Sequence, residues 1–316
     1  MREAELAAHA LTSRVVAAEV APFSAREFWR LARAVDDLGR LFGLRASEIQ
    51  NELSIPGEQA ERVARLMERR TALALATEEL EHSGMWVLTS LSEDYPTRLR
   101  ERLGDAAPVV LHGVGDKALL GEDGVGVVGS RDIPPESAEV AREVARIASG
   151  TGVPIVSGAA RGVDQHAMNA AVEFGGTVVG VMADSLQRAV GRSSTRRAVA
   201  SGQVCLVTPY APRAGFSAGN AMGRNKIIYS LSMAVVVVRS DEGTGGTWAG
   251  AKEAMSGRFT RVVSWTGTGS GPGNGPLVAN GAADVADLSH LKGAILQPAA
   301  EPGRLIVQAS DQLSFF

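Results

Sequence analysis

Short apolar runs, each ending in a glycine- or serine-rich break, recur through the middle of the chain. Between them, apolar residues return every three or four positions. The first pattern predicts buried strands and the second predicts amphipathic helices that cover them. The clearest instance runs from Gly124 to Asp164. Val125–Val128 breaks at Gly129-Ser130-Arg131, and a helical pattern follows, opened by Pro134-Pro135-Glu136-Ser137. It carries Val140, Val144, Ile147 and Ala148 on one face, and Gly150 and Gly152 close it. A second run, Val153–Val156, breaks at Ser157-Gly158. Strand, helix, strand at this spacing is a βαβ unit with parallel strands. A right-handed crossover places both strand ends on one rim of the sheet, where open parallel sheets bind ligands.

The alternation continues. A helix is expected from Val163 to Phe174, then a strand at Thr177–Met182, a loop with Arg188 and Arg192, and a helix at Arg196–Ser201. Strand Val204–Thr208, loop Pro209–Gly219, helix Asn220–Leu231 and strand Ala234–Val238 follow. The turn Asp241–Gly246 opens a helix at Thr247–Ser256, and strand Arg261–Trp265 ends the sheet. At least six parallel strands make this an α/β protein with a doubly wound, mostly parallel, Rossmann-like sheet. Before it, residues 1–82 read as a small all-helical domain, with Phe28, Leu31, Ala32, Val35, Leu38, Leu41 and Phe42 on one apolar face. Met85–Ser90 and Val109–His112 read as an irregular antechamber interrupted by Pro96 and Pro108. The expected division is 1–82 helical, 83–270 sheet domain and 271–316 C-terminal extension. The glycine-rich Gly267–Gly275 leads into that extension, where one or two short helices are expected in Leu277–Leu291 and an edge strand at Leu305–Gln308.

Composition narrows the function classes. Of 316 residues, 45% are hydrophobic and 21% charged, as in a globular protein. No apolar run approaches membrane-spanning length and the N-terminal stretch lacks a secretory hydrophobic region, so a cytoplasmic protein is expected. Cys205 is the one cysteine, which excludes an internal disulfide and reads as a buried thiol. Gly124, Gly126 and Gly129 match the dinucleotide fingerprint in spacing, but the first two precede or lie inside the strand, so no nicotinamide cofactor is expected. The five histidines are scattered, with no metal spacing, paired carboxylates or phosphate-loop lysine, and no catalytic set, metal or cofactor is assigned. The net charge of −3 conceals an asymmetry: from Ser185 to Ser240 there is no Asp or Glu, while Arg188, Arg192, Arg196, Arg197, Arg213, Arg224, Lys226 and Arg239 all fall there. Such a field suits a polyanion.

The candidate contacts sit at strand ends. Gly129, Ser130 and Arg131 form a turn before a helix, where N–H groups and a guanidinium grip a phosphate together. Ser157 and Gly158 allow close backbone approach. Thr244, Gly245, Gly246 and Thr247 form another anion-cradling turn. Arg224 and Lys226 read as the beginning of a helix at the same rim, where a bound anion would relieve their clash with the helix dipole. Arg161 and Asp164 form either a ligand pair or a structural lock, with Asp164 suited to cap the next helix. Asn225 suits hydrogen bonds to neighbouring loops. Trp248, Tyr210 and Phe216 are the aromatics near the rim that can stack on bases.

Taken in order, these segments resemble the DNA-processing protein A (DprA/Smf) family of single-stranded-DNA-binding, recombinase-loading proteins, from about Met85 to Gly267. Val128–Arg131 is similar to the family's GSR turn, and Ser157-Gly158-Ala159-Ala160-Arg161-Gly162-Val163-Asp164 to its SGxARGID segment. Arg224-Asn225-Lys226-Ile227-Ile228 with Leu231-Ser232 is similar to its RNRII…LS segment, and Gly243–Ala249 with Gly257-Arg258 to its SGSxxTA…GR region. Asp94-Tyr95-Pro96, Leu99 and Pro108–Gly113 resemble its entry region. Met168 stands where the family's DxxAH sequence has histidine, and Arg188–Arg192 replaces its tyrosine-proline-lysine segment. The resemblance implies a non-enzymatic homodimer that binds single-stranded DNA and passes it to RecA. The alternative is a nucleotide sensor or a phosphoribohydrolase-like enzyme on the same fold. Those enzymes carry a PGGxGTxxE segment, whereas no acid stands three residues after Thr247, and Glu253 lies further on.

Overall fold

The computed structural model describes residues 1–297. Its strands are β1 (Met85–Thr89), β2 (Val110–Val114), β3 (Gly124–Gly129), β4 (Ile155–Ser157), β5 (Val178–Val181), β6 (Val204–Thr208), β7 (Ser232–Arg239), β8 (Arg261–Trp265) and β9 (Ala283–Val285). They form one sheet in the order β1-β2-β6-β5-β4-β3-β7-β8-β9. From β6 across to β9 every neighbouring pair is parallel. The strands are short and almost wholly buried because helices cover both faces. On one face Pro135–Gly150, Val163–Glu173 and Leu288–Leu296 pack Val140, Val144, Ala167, Leu291 and Ile295 onto the sheet. On the other, Thr97–Leu103, Ala218–Leu231, Gly245–Ser256 and Asn274–Ala279 contribute Leu99, Ile227, Ile228, Ala251 and Leu277. This is the expected doubly wound α/β architecture.

Two expectations are corrected. Met85–Thr89 and Val110–Val114 are an antiparallel hairpin that extends the sheet, with β2 pairing β6 through His112↔Thr208 and Gly113↔Val207. No separate antechamber exists. Gly113 has to be glycine there, since a Cβ would lie 2.1 Å from the Trp86 ring and 2.7 Å from the Leu206 carbonyl oxygen. The sheet also continues past Arg261–Trp265, because β9 pairs with β8. Three residues with an exposed Asp284 at the centre give no apolar run to read; backbone pairing alone makes this strand. The strand placed at Leu305–Gln308 lies outside the described residues.

Residues 3–82 contain five α-helices and a 3-10 turn around their own cluster of Leu11, Phe28, Leu41, Ile49, Leu66 and Leu73. Ser24 starts one helix with a reciprocal cap: its hydroxyl accepts the Glu27 N–H and the Glu27 carboxylate accepts the Ser24 N–H, an arrangement worth about 1 kcal/mol. Val109 and Val110 complete this cluster, and the Trp29 indole donates to the Ala107 carbonyl at 3.0 Å. The helical region is therefore seated on the β2 end of the sheet. Among the described residues, no helix is long and apolar enough to cross a membrane.

The chain steps outward from β3 through β4, β5 and β6, then returns to place β7 on the other side of β3. The crevice between the carboxyl ends of β3 and β7 is thus the topological switch point, where such sheets hold ligands.

Candidate nucleic-acid interface

Two turns interlock at the switch point. Gly129 ends β3 opposite Arg239 at the end of β7, and the Ser130 N–H and hydroxyl both donate to the Arg239 carbonyl. Gly162 follows at φ +86°, and a Cβ on it would lie 2.3 Å from the Ser130 carbonyl oxygen. A Cβ on Gly129 would meet Val163 at 2.4 Å. Both glycines are needed for the GSR and SGAARG turns to touch. Ser157 is buried and donates to the Val127 carbonyl at 2.6 Å. Ala159 holds a left-handed φ of +53°, a costly conformation for a residue with a side chain. Asp164 holds this turn, its buried carboxylate accepting the Gly158 N–H at 3.1 Å. It lies in the first helical turn while Gly162 occupies the cap position, so the expected N-cap role is replaced by a lock on the preceding loop.

Arg224 is the buried centre of the rim. It lies mid-helix in Ala218–Leu231, which Ser217 caps, so the expected placement of Arg224 and Lys226 at a helix start is wrong. Its guanidinium donates to the Val181 carbonyl at 3.1 Å, and its Nε has no partner. Burial lowers its affinity for a proton, a shift opposed by the charge of Asp164. Burial likewise raises the Asp164 carboxyl from 3.8 to about 6, against Arg224 and the Gly158 and Ala160 N–H groups. The guanidinium borders both cavities, and a charged donor at a cavity wall suits an anion.

Two adjoining cavities share Arg131, Ala160 and Arg224. The first, about 560 Å³, is bordered by Gly129, Ser130, Arg131, Asp164, Arg224, Asn225 and the Thr244–Thr247 turn. Thr244 makes no side-chain cap to the helix Gly245–Ser256, so that helix presents uncapped first-turn N–H groups at the cavity edge. The second, about 480 Å³, is bordered by Gly158, Arg161, Arg188, Arg192 and Phe216. Arg131, Arg161, Arg188 and Arg192 are exposed. Arg131 stands 5.6 Å from the centre of the exposed Phe216 ring, while Asp132 pairs with Arg161 at 2.8 Å instead.

Other expected contacts are not brought together. Lys226 pairs with Glu253 at 2.8 Å and borders neither cavity. The same pairing engages Glu253, the first carboxylate downstream of the Gly245–Gly250 segment. Ser157 and Gly162 shape the turns without lining either cavity. Asn225 donates to the Gly246 carbonyl at 3.2 Å, tying the helix to the 244–247 turn as expected from its sequence. Trp248 packs against the core with Lys252 over its ring, away from both cavities. Arg239, expected only as part of the basic window, and Tyr229, not expected at all, both line the first cavity. Arg239 ends β7 and donates to the Gly269 and Ser270 carbonyls; Tyr229 is fully buried with an unpartnered hydroxyl. Helical spacing from Ala221 and Asn225 to Tyr229 was the available signal.

A nine-stranded, mostly parallel sheet with two adjoining cavities on its carboxyl rim, the first bordered by Arg131, Arg224 and Arg239 together with Asp132, Asp164 and Asp241, defines a Rossmann-like α/β protein. The family model for DNA recombination-mediator protein A matches residues 86–292, and the chain belongs to that family. DNA processing protein DprA of Bacillus subtilis is 28% identical over 175 residues, which cover 54% of this chain and 58% of that protein. The match thus spans little more than half the length of that relative. The fold is similar to DNA processing protein A from Streptococcus pneumoniae (TM-score 0.63, 23% identity, covering 86% of this chain and 98% of that one). It is also similar to DNA processing protein A from Helicobacter pylori, a single-stranded-DNA-binding protein (TM-score 0.54, 21% identity, covering 67% and 95%).

Proposed function

We propose that this protein binds single-stranded DNA along the carboxyl rim of its sheet and acts as a recombination mediator that passes the strand to a RecA-type recombinase. The observation that carries this reading is the shared wall: Arg131 and Arg224 border both cavities at once. A mononucleotide fills one such cavity, whereas a polymer with repeating phosphates can occupy both and use the arginines between them. Gly129–Arg131 and Thr244–Thr247 act on phosphates in the first cavity, and Arg161, Arg188 and Arg192 act in the second. Phe216, exposed beside Arg131, stacks on a base. Gly158, Asp164 and Asn225 position these groups, and the protein works without catalysis. Membership of the family supports the hand-over to RecA, a homodimeric state and a place in the cytoplasm.

Competition tests the reading. Labelled single strand bound to the full chain is challenged with unlabelled single strand, duplex and AMP. Displacement by single strand, with duplex and AMP far weaker, is expected. Efficient displacement by AMP at equal nucleotide concentration would move the assignment to a nucleotide sensor.

A further inference from the structure

A third cavity, about 690 Å³, lies where the helical region meets the sheet. It is bordered by Arg14 and Phe23 of the helical region, by Val109 and Val110 at the start of β2, and by Pro209–Ala211, Arg213 and Ala214 after β6. Strand β2 runs antiparallel to β6, so its start and the end of β6 lie on one rim. That rim already carries the other two cavities. The first sits at β3 and β7, the second at β4 and β5, and the third at β6 and β2, in sheet order. With strands about 4.8 Å apart, first and third are separated by roughly 19 Å.

The third cavity is equipped like the second. The second has Phe216 with Arg188 and Arg192; the third has Tyr210 with Arg14 and Arg213. Arg14 and Arg213 are exposed, and no Asp or Glu borders this cavity. Its wall also includes His112, whose imidazole is buried. The segment Pro209–Asn220 joins second and third cavities directly. Phe216 faces one and Tyr210 the other, and Arg213 donates through Nε to Gln187 of the helix that borders the second cavity.

We infer that the single strand continues past the first two cavities into the third, with Arg14 and Arg213 on its phosphates and Tyr210 against a base. The helical region is then part of the DNA-binding surface. This inference rests on the single-strand reading given above. An aromatic with exposed arginines, repeated along a rim, is the arrangement that tracks a strand without reading its sequence. A single nucleotide or small metabolite gives no reason for the repeat.

The test uses the full chain and oligothymidylates of about 4 and about 16 nucleotides, the span of lengths that single-strand grooves cover. Arg14→Ala/Arg213→Ala is expected to leave the short oligomer unaffected. It should weaken the long one about tenfold and make its log–log salt slope shallower by about 1.4. Tyr210→Leu should weaken the long oligomer alone. Equal long-oligomer affinity in the double variant and the unaltered protein overturns the extension, as does equal weakening of both oligomers. Failure of the unaltered protein to bind either oligomer overturns the single-strand reading itself.

Discussion

Gly158 packs against the guanidinium of Arg224 so closely that a Cβ at position 158 would stand 1.4 Å from Nη1. The glycine makes room for a charge that would otherwise be pushed into the cavity or out of its bond with the Val181 carbonyl. Gly158→Ala is therefore expected to destabilise the protein by about 1–3 kcal/mol, as overpacking does, and to weaken single-strand binding. Gly150→Ala is the control, because nothing lies within 4 Å of a Cβ there. Thermal unfolding and anisotropy on both variants check this; equal behaviour of the two would mean Arg224 is not held by Gly158.

Arg131 has the opposite character. It is exposed and has no salt-bridge partner among the described residues. Arg131→Ala should leave thermal stability unchanged and make the log–log salt slope of binding shallower by about 0.7, the contribution of one phosphate contact on a single strand. Arg224→Ala is a poor substitute, since it also strands Asp164 as a buried charge and empties the space beside Gly158.

Phe216 is 59% exposed. Phe216→Ala should cost about 1–3 kcal/mol of single-strand affinity if the ring stacks on a base, with stability changed by less than about 0.5 kcal/mol. Trp248→Ala should do the reverse, lowering the unfolding temperature with affinity intact. Weaker binding on loss of Trp248 alone would move the stacking platform away from the second cavity.

The Asp164 carboxyl, raised by burial from 3.8 to about 6, gives a pH dependence. The folded state keeps a proton that the unfolded chain releases between about pH 4 and about pH 6. This residue's contribution to stability therefore falls as pH rises through that window and is constant above it. Ionisation also sets a negative charge beside Arg224, in the wall of the first cavity. Single-strand affinity at fixed ionic strength should rise several-fold as pH falls from about 7 to about 5, and Asp164→Asn should flatten this profile. An unchanged profile in Asp164→Asn would place the titrating group elsewhere.

The strands from β3 to β8 were legible because buried parallel strands leave uninterrupted apolar runs. β9 was not, since Ala283–Val285 has no apolar run of its own. The helix bearing Arg224 was expected at Asn220–Leu231, close to its observed span, yet Arg224 and Lys226 were still read as its beginning; the cap from Ser217 to Asn220 was the local mark of its true start. The charge-rich window pointed to the rim that carries the cavities but not to which of its side chains line them. Arg188, Arg192, Arg224 and Arg239 line the two cavities, whereas Lys226 turns to Glu253 and Arg196 to the Gly191 carbonyl. Side-chain direction within a helix decides this, and a count of charges does not contain it.

The most direct test is the anisotropy of a labelled single strand across a salt series. Arg131, Arg161, Arg188 and Arg192 are the exposed arginines bordering the two cavities, and neutralising one phosphate at each gives a log–log slope of about −3. A slope at least that steep, with little preference among base sequences, is the expected result. A slope near zero would contradict phosphate-led binding on this rim.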